Sequence, residues 1–333
     1  MPTPMQFLRE SGVQPLHRRG QNFLIDKNIL KKIIEVAQIK KTDTIVEIGS
    51  GSGELTAELA SRAKKVFAVE IDRALFEILD SRTTGIAICT HSSTRGQIGN
   101  FRGNDSLVVK GKNLILIKDD IRAIPNTVFG KKDGSYRVIA NIPYHITSQI
   151  IRKFLEGTPR PRELVLLMQK EVAKRIVAKP PQMSLLAVSV QYYADVKILF
   201  PVSRNSFFPK PNVDSAVVRM VVKRETGETG TATVSVTQKR WLSPFPVGGG
   251  NDRRKSEDDK WFFAIVRAGF SAKRKQCAQS ISKKLHIPIT EVLRAFQYAG
   301  VAEKARAQEI SVEQWGAIAK NSIIHFTRFE REV

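Results

Sequence analysis

The feature that most constrains the fold is a buried strand that leads into a glycine-rich loop and then a helix. The apolar run Thr44–Ile48 is followed by Gly49-Ser-Gly-Ser-Gly53, and residues 54–60 carry apolar side chains at helical spacing. Glycine lets the backbone turn sharply and approach a ligand at a helix N-terminus. The pattern predicts the first strand–loop–helix unit of an open α/β sheet.

Three more apolar runs have the length of buried strands, and each is followed by a polar residue. These runs are 66–69 before Glu70, 114–117 before Asp119 and Asp120, and 137–140 before Asn141. Ligands of open parallel sheets bind outside the carboxyl ends of the strands. We therefore expect the four loops to meet at one ligand-binding cleft.

The chain is strongly basic. It has 54 Lys and Arg against 32 Asp and Glu, which gives a formal net charge of +22 and a pI near 10.1. A field of this size favours a polyanionic partner, and nucleic acid is the commonest one. We therefore expect the partner to be a nucleic acid.

Composition excludes several other classes of protein. With 42% hydrophobic and 26% charged residues, the chain is neither disordered nor collagen-like. No apolar run approaches the ~20 residues of a membrane-spanning helix, and the N-terminal residues predict no secretory signal. Two distant cysteines, Cys89 and Cys277, exclude a disulfide framework or a zinc cluster and fit a reducing compartment. We expect a cytoplasmic protein without a metal site or membrane contact.

Two stretches interrupt the alternation of strands and helices. Residues 82–112 and 225–260 are rich in Gly, Ser, Thr or charged residues, which predicts exposed insertions or linkers. We therefore predict a catalytic domain over 1–224, a flexible linker over 225–260 and a helical domain over 261–333. Ser311 and Gln314 have the spacing of a capping box for the last helix.

The residues around the glycine loop argue against a dinucleotide site. Glu54 occupies the position where the G-x-G-x-x-G pattern requires its third glycine. Glu47 is unusual inside an apolar strand, because a buried carboxylate is costly without a partner. Glu70 follows the glycines by about twenty residues, the position from which an acidic side chain binds ribose hydroxyls. Asp72 is expected to cap the next helix.

The third strand ends in two carboxylates, and the fourth in Asn141-Ile-Pro-Tyr144. Either Asp119 or Asp120 is suited to accept a hydrogen bond from an adenine amino group. The oxygen of an Asn side chain and a neighbouring backbone carbonyl would favour a pyramidal amine with an available lone pair. Tyr144 offers a face for an unstacked base. The tetrad predicts methyl transfer to an adenine amino group.

The motifs of the chain occur in the order of a known family. They are Gln21-Asn-Phe-Leu24, Glu47-Ile-Gly-Ser-Gly-Ser-Gly53, Val69-Glu-Ile-Asp72, Asp120, Asn141-Ile-Pro-Tyr144, Leu167-Met-Gln-Lys-Glu-Val172, Gln191-Tyr-Tyr193 and Phe207-Phe-Pro-Lys-Pro-Asn-Val-Asp-Ser-Ala-Val-Val218. The chain resembles the ribosomal RNA adenine N6,N6-dimethyltransferases, most closely their bacterial small-subunit (16S) branch. The resemblance covers about 18–222 and resumes over 264–315.

This resemblance implies a Rossmann-like, S-adenosylmethionine-dependent methyltransferase sheet followed by a small all-helical domain. It implies dimethylation of two adjacent adenosines in the 3′-terminal hairpin loop of 16S rRNA, within an assembling small ribosomal subunit, by a monomer. Cofactor-binding roles fall on Gln21, Asn22, Leu24, Glu47, Gly49, Gly51, Glu70, Asp120 and Asn141. Asn141 is also implied as catalytic, and Tyr144 and Phe207 are implied to stack on the adenine. Phe207, which precedes a Pro-rich turn, is equally compatible with core packing.

Two stretches depart from the family pattern. Met183-Ser-Leu-Leu-Ala187 replaces the usual Tyr-Gly-x-Leu-Ser, and residues 270–279 keep Arg274 and Lys275 of an arginine-rich motif but not its later Arg and Asn. We predict that Lys273, Arg274 and Lys275 form a basic surface that contacts RNA phosphates. Such contacts position RNA without reading its sequence.

Three alternatives stay open. A large-subunit (23S) enzyme is disfavoured by Val213-Asp-Ser-Ala-Val-Val218 and the long helical tail. A catalytically silent ribosome-assembly factor is disfavoured because the glycine loop, Glu70 and Asn141 are intact. A nicotinamide oxidoreductase is disfavoured by Glu54 and by the charge.

Overall fold

The computed structural model describes residues 21–82, 87–89, 107–110, 112–223, 252–272 and 275–332, with the backbone alone at 81–82, 87–89, 107–110, 252–257 and 323–332. Within these residues the chain forms two compact units. The first comprises the described parts of Met1–Lys174 and Tyr193–Val222, and the second those of Arg175–Tyr192 and Lys223–Val333.

The first unit is built on a nine-stranded sheet with a separate two-stranded ribbon. The strands are β1 Phe23–Leu24, β2 Thr44–Ile48, β3 Lys65–Glu70, β4 Ala87–Cys89, β5 Leu107–Lys110, β6 Leu114–Lys118, β7 Arg137–Asn141, β8 Glu163–Gln169, β9 Ala194–Val202, β10 Phe207–Phe208 and β11 Ser215–Val222. The order in the large sheet is β4-β5-β6-β3-β2-β7-β8-β11-β9, and β1 pairs with β10 in the ribbon.

The centre of the sheet confirms the predicted open parallel α/β fold. The four predicted strands are β2, β3, β6 and β7, and they lie side by side in parallel. Strand β8 continues the parallel part next to β7. Each predicted strand has nearly all its residues buried, because helices cover an α/β sheet on both faces.

Ten helices accompany the strands in the described residues. They are α1 Lys27–Ala37, α2 Glu54–Arg62, α3 Arg73–Arg82, α4 Thr147–Glu156, α5 Lys170–Ile176, α6 Leu185–Tyr193, α7 Asp252–Gly269, α8 Cys277–Leu285, α9 Ile289–Tyr298 and α10 Val312–Glu332. Helices α1 and α2 bury Ile33 and Leu59 in a core that also holds the β2 residue Ile45.

The interrupting stretches contain regular structure. Within 82–112, β4 and β5 pair antiparallel with each other, and β5 pairs with β6, so they extend one edge of the sheet. Helix α7 begins at Asp252, inside the predicted linker 225–260. Residues 175–192 group with the C-terminal helices, although the sequence placed them in the catalytic domain. The domain boundaries proposed from the sequence stay a prediction.

The second unit is helical in its described residues. Trp315 is fully buried and its ring lies 5.9 Å from that of Phe270. The predicted capping box is confirmed, because Ser311 N–H donates to Gln314 Oε1 at 3.0 Å and Gln314 N–H donates to Ser311 Oγ at 3.2 Å. This reciprocal pair satisfies two donors at the start of α10.

Buried ion pairs lie where the central strands β7 and β8 begin. Arg137 Nη1 donates to Asp43 Oδ2 at 2.6 Å, and Arg137 Nη2 lies 2.6 Å from Glu163 Oε1. All three side chains are almost fully buried. The pairs therefore fix the starts of β7 and β8 relative to the residue before β2, at the edge of the sheet opposite the polar loops.

Candidate active site

A cavity of about 240 Å³ lies at the carboxyl ends of the parallel strands. Its walls come from the segment before β1 and from the loops after β2, β3, β6 and β7. The predicted residues that line it are Gln21, Asn22, Gly49, Gly51, Glu70, Asp120, Asn141 and Tyr144. The structure thus brings together most of the residues that the sequence pointed to.

The glycine loop adopts a conformation that favours glycine. Gly49, Gly51 and Gly53 all have positive φ, at 69°, 54° and 89°. A Cβ on Gly51 would lie 3.2 Å from the ring of Phe23, and one on Gly53 only 2.5 Å from Leu79. The three glycines therefore let the loop turn into α2 while its backbone stays next to the cavity.

Glu70 places a buried carboxylate at the end of β3. Its Oε2 accepts from Gly51 N–H at 2.9 Å, and its Oε1 accepts from Asp72 N–H at 2.8 Å. Burial raises the pKa of Glu70, and the two backbone hydrogen bonds oppose that rise. Because each carboxylate oxygen has a further lone pair, the group can also accept from a diol.

Asp72 confirms its predicted role as a helix cap. Its Oδ1 accepts from the backbone N–H groups of Ala74 and Leu75, at 3.0 and 3.3 Å. This cap fixes the start of α3 directly after Glu70 and Ile71. The cap therefore helps to hold the Glu70 carboxylate in place.

Both candidate carboxylates after β6 line the cavity, but their partners differ. Asp119 Oδ1 accepts from the backbone N–H of Asp120 at 2.6 Å. Asp120 is paired with Arg122, which holds the pKa of its carboxyl below the usual value. Asp120 is therefore an ionised acceptor at neutral pH.

Asn141 ends β7 and is tied to the segment before β1. Its Nδ2 donates to the backbone carbonyl of Asn22 at 3.0 Å. Because the amide nitrogen is used in this way, its oxygen is the atom left to accept a hydrogen bond from a ligand. Ile142, the next residue, also lines the cavity.

Tyr144 and Phe207 differ in whether their side chains reach the cavity. Tyr144 lines the cavity, is partly buried, and has its hydroxyl 2.6 Å from Ser215 Oγ. Phe207 is 2% exposed, packs in the core, and does not line the cavity. Its neighbour Phe208 is 38% exposed. The structure thus places Phe207 in the core-packing arrangement, and a stacking role for it stays a prediction.

Two other predicted cofactor residues also lie outside the cavity wall. Leu24 packs against the hydrophobic core, as expected for a side chain paired with Phe207 across the ribbon. Glu47 is fully buried in β2, where burial raises its pKa to about 8 and outweighs the lowering influence of the nearby Thr56 hydroxyl. Its second oxygen has no hydrogen-bond partner among the described residues. Cofactor roles for Leu24 and Glu47 stay predictions.

The predicted RNA-contact residues fall in the second unit. Lys273 and Arg274 lie outside the described residues. Lys275 is exposed just before α8, and Lys283 and Lys284 are exposed in the last turn of that helix. The helix dipole favours the two cations in the last turn. Together with Lys275 they give α8 positive charge near both its ends.

Sequence reasoning missed several residues of the cavity wall. Phe23, Ile71 and Arg122 line it, and Ile71 is 53% exposed although it is a large apolar residue. Ile71 follows Glu70 directly, so its position next to a strand-end carboxylate was a usable signal. Arg122 gave no such signal, because its role depends on contacts made in three dimensions.

The cavity fits S-adenosylmethionine. It combines a glycine loop at a helix N-terminus, a buried carboxylate with unused acceptor capacity, and exposed apolar surface at Ile71. These are the features that an amino-acid moiety, a ribose and a purine ring respectively require. The residues that would hold it are those of the glycine loop, Asn22, Glu70, Asp120 and Asn141.

The sheet and this cavity define a Rossmann-like methyltransferase that uses S-adenosylmethionine. Residues 16–233 match the family of ribosomal RNA adenine dimethylases, and the chain belongs to this family.

Similar proteins agree with this membership. The chain is 33% identical over 296 residues to a ribosomal RNA small subunit methyltransferase A of Dehalococcoides mccartyi, covering 89% of this chain and 84% of that one. It is 33% identical over 321 residues to the protein of the same name from Moorella thermoacetica, covering 95% of each. A dimethyladenosine transferase from Plasmodium falciparum has a similar structure, with a TM-score of 0.62, 25% identity, and coverage of 92% and 98%.

Two further features are absent from the described residues. No helix among them is both long and apolar enough to cross a membrane. No cluster of three or more His, Cys, Asp or Glu side chains in the same residues is arranged to hold a metal ion.

Proposed function

We propose that this protein dimethylates N6 of two adjacent adenosines in the 3′-terminal hairpin loop of 16S rRNA during assembly of the small ribosomal subunit. The observation that carries the proposal is the orientation of Asn141. Its amide nitrogen donates to the Asn22 carbonyl, which leaves the side-chain oxygen of this cavity-lining residue to accept from a target amine.

The adenine amine is a weak nucleophile because its lone pair is delocalised into the ring. Asn141 Oδ1 and the backbone carbonyl of Ile142 would each accept one N–H of the amine, which favours a pyramidal nitrogen with an available lone pair. The Asn141 side chain is held by its bond to Asn22 before the base arrives, so little reorganisation of this acceptor is needed in the transition state. The tyrosine ring of Tyr144 would hold the unstacked base at this position.

S-adenosylmethionine supplies the methyl group from its sulfonium. The amine lone pair forms the new N–C bond, the electrons of the broken S–C bond stay on sulfur, and one proton leaves the nitrogen. No strong base is required, since that proton becomes acidic once the methyl group is attached. Repetition with a second cofactor molecule would give the dimethylated product.

The charge supports an RNA partner. The chain has a net charge of +22, and Lys275, Lys283 and Lys284 are exposed on the helical unit. Lysines at such positions would contact phosphates and set the orientation of the RNA without reading its sequence. The proposal includes action on the assembling subunit as a monomer in the cytoplasm.

Small subunits from a strain that lacks this methylation provide the test. They are incubated with the protein and methyl-labelled S-adenosylmethionine, and the RNA is cut into fragments and digested to nucleosides. We expect labelled dimethyladenosine from the 3′-terminal hairpin alone. Label in large-subunit RNA instead would favour a 23S enzyme. Binding to the small subunit with no label in either RNA would favour an assembly factor.

A further inference from the structure

The carboxylate of Asp120 accepts its hydrogen bonds from a single neighbouring residue. In the described part of the chain, every hydrogen bond that its carboxylate accepts comes from Arg122. Arg122 Nε lies 3.0 Å from Oδ1 and 2.9 Å from Oδ2, and Nη2 lies 2.6 Å from Oδ2. The backbone N–H of Arg122 adds a bond of 2.9 Å to Oδ1.

The guanidinium is itself fixed on its other side. Arg122 Nη1 donates to Gln149 Oε1 at 2.8 Å, and Gln149 belongs to helix α4. A guanidinium is planar and its N–H groups have fixed directions, so two anchors define its plane. The Asp120 carboxylate therefore takes its orientation from Arg122 and, through it, from α4.

This arrangement makes Asp120 an acceptor and nothing else. The Arg122 hydrogen bonds are the largest cause of the lowered pKa of Asp120, so the carboxyl is ionised at neutral pH. An ionised carboxylate accepts hydrogen bonds and donates none. A purine with a 6-amino group offers it an N–H donor, whereas a 6-oxo purine brings a second acceptor against it.

We propose that Arg122 is a specificity-determining positioning residue, which holds the Asp120 carboxylate at the cavity so that the cofactor site selects a 6-amino purine over a 6-oxo purine. The inference rests on the proposed assignment of Asp120 to the purine ring. Lys153 acts on Asp120 only through its charge, and its ammonium donates to the Ile124 carbonyl at 2.5 Å.

The test compares two ligands that differ only at position 6 of the purine. Binding of S-adenosylhomocysteine and S-inosylhomocysteine to the full-length protein is measured by calorimetry. We expect the wild-type protein to prefer the adenine ligand by at least about 10-fold, the value of one good charge-assisted hydrogen bond. In Arg122→Met the preference should fall below about 3-fold, chiefly through weaker binding of the adenine ligand.

Two further variants complete the set. Arg122→Lys keeps the charge but loses the planar fork, and should give an intermediate preference. Arg152→Met removes an exposed arginine of α4 that pairs with Glu156 outside the cavity wall, and should keep the wild-type preference.

The outcomes separate this inference from the proposed function. A wild-type protein that binds neither ligand would contradict the cofactor assignment itself. Wild-type binding without a preference, or an Arg122→Met protein with the wild-type preference, would overturn the inference alone. Equal loss of affinity for both ligands in Arg122→Met would also overturn it, because Arg122 would then support the cavity without setting its selectivity.

Discussion

The hydroxyl groups of Tyr144 and Ser215 lie 2.6 Å apart. This contact joins the loop after β7 to the first residue of β11, across 71 positions of the sequence. Ser215 is fully buried between its neighbours on β8 and β9, so it is a rigid anchor. The ring that we expect to lie against the target base is therefore held by the sheet as well as by its own loop.

Loss of this contact should weaken RNA methylation modestly. A hydrogen bond contributes roughly 0.5–1.5 kcal/mol, so Ser215→Ala and Tyr144→Phe should each lower kcat/KM for RNA by about 2- to 10-fold. The double variant should be little worse than either single one, because both remove the same contact. Steady-state kinetics on undermethylated subunits measure this, and full additivity of the two effects would contradict it.

Removal of the Glu70 carboxylate should weaken cofactor binding. Glu70→Gln replaces one of the two oxygens that accept from Gly51 N–H and Asp72 N–H by an NH₂ group, and it loses an acceptor for the ribose. We expect the Kd for S-adenosylhomocysteine to rise about 10- to 100-fold, or roughly 1.4–2.8 kcal/mol. Glu77→Gln changes the same residue type on the exposed face of α3, where Glu77 pairs with Arg73, and should leave the Kd unchanged.

Glu47 should make the free energy of unfolding depend on pH. Its pKa is raised by burial to about 8 from the ordinary 4.5, so between these values the folded protein keeps a proton that the unfolded chain loses. Stability should therefore fall as pH rises through this window, by at most about 1.4 kcal/mol per pH unit, and level off above it.

The variant Glu47→Gln isolates this effect because it stays neutral at every pH. Urea unfolding of both proteins, followed by circular dichroism from pH 5 to 9, should show the variant gaining stability relative to wild type up to about pH 8. A difference that does not change with pH would show that Glu47 is already ionised in the fold.

Arg137 should matter for stability far more than an exposed arginine does. Arg137→Met removes the buried cation that the carboxylates of Asp43 and Glu163 share, which costs about 3–5 kcal/mol in comparable sites. Arg152→Met loses an exposed i,i+4 pair with Glu156 and should cost less than about 1 kcal/mol. Similar urea midpoints for the two variants would contradict the structural role given to the buried pairs.

The sequence predicted the centre of the sheet and the ends of its strands well. The runs that form β2, β3, β6 and β7 are short and apolar, and each is followed by a polar residue. Their pattern is therefore local in the sequence. The cap at Asp72 and the capping box at Ser311 were predictable for the same reason, since the donor and acceptor lie within three residues.

The antiparallel strands and the supporting contacts of the site were not predictable in this way. An apolar run such as Ser215–Val222, which pairs antiparallel with both its neighbours, does not show by periodicity alone whether it forms a strand or a buried helix. The contacts of Tyr144 with Ser215, and of Arg122 with Gln149, join residues 71 and 27 positions apart. Their spacing carries no pattern, because only the three-dimensional fold brings them together.

The most direct test of the central claim compares wild type with Asn141→Ala. Without the oriented side-chain oxygen, methyl transfer to undermethylated small subunits should fall by at least about 100-fold, while the Kd for RNA stays within about 3-fold of wild type. Asn28→Ala, at an exposed position of α1, serves as control and should keep full activity. Comparable loss of RNA affinity in Asn141→Ala, or methylation at the wild-type rate, would contradict the assignment of Asn141 to the target amine.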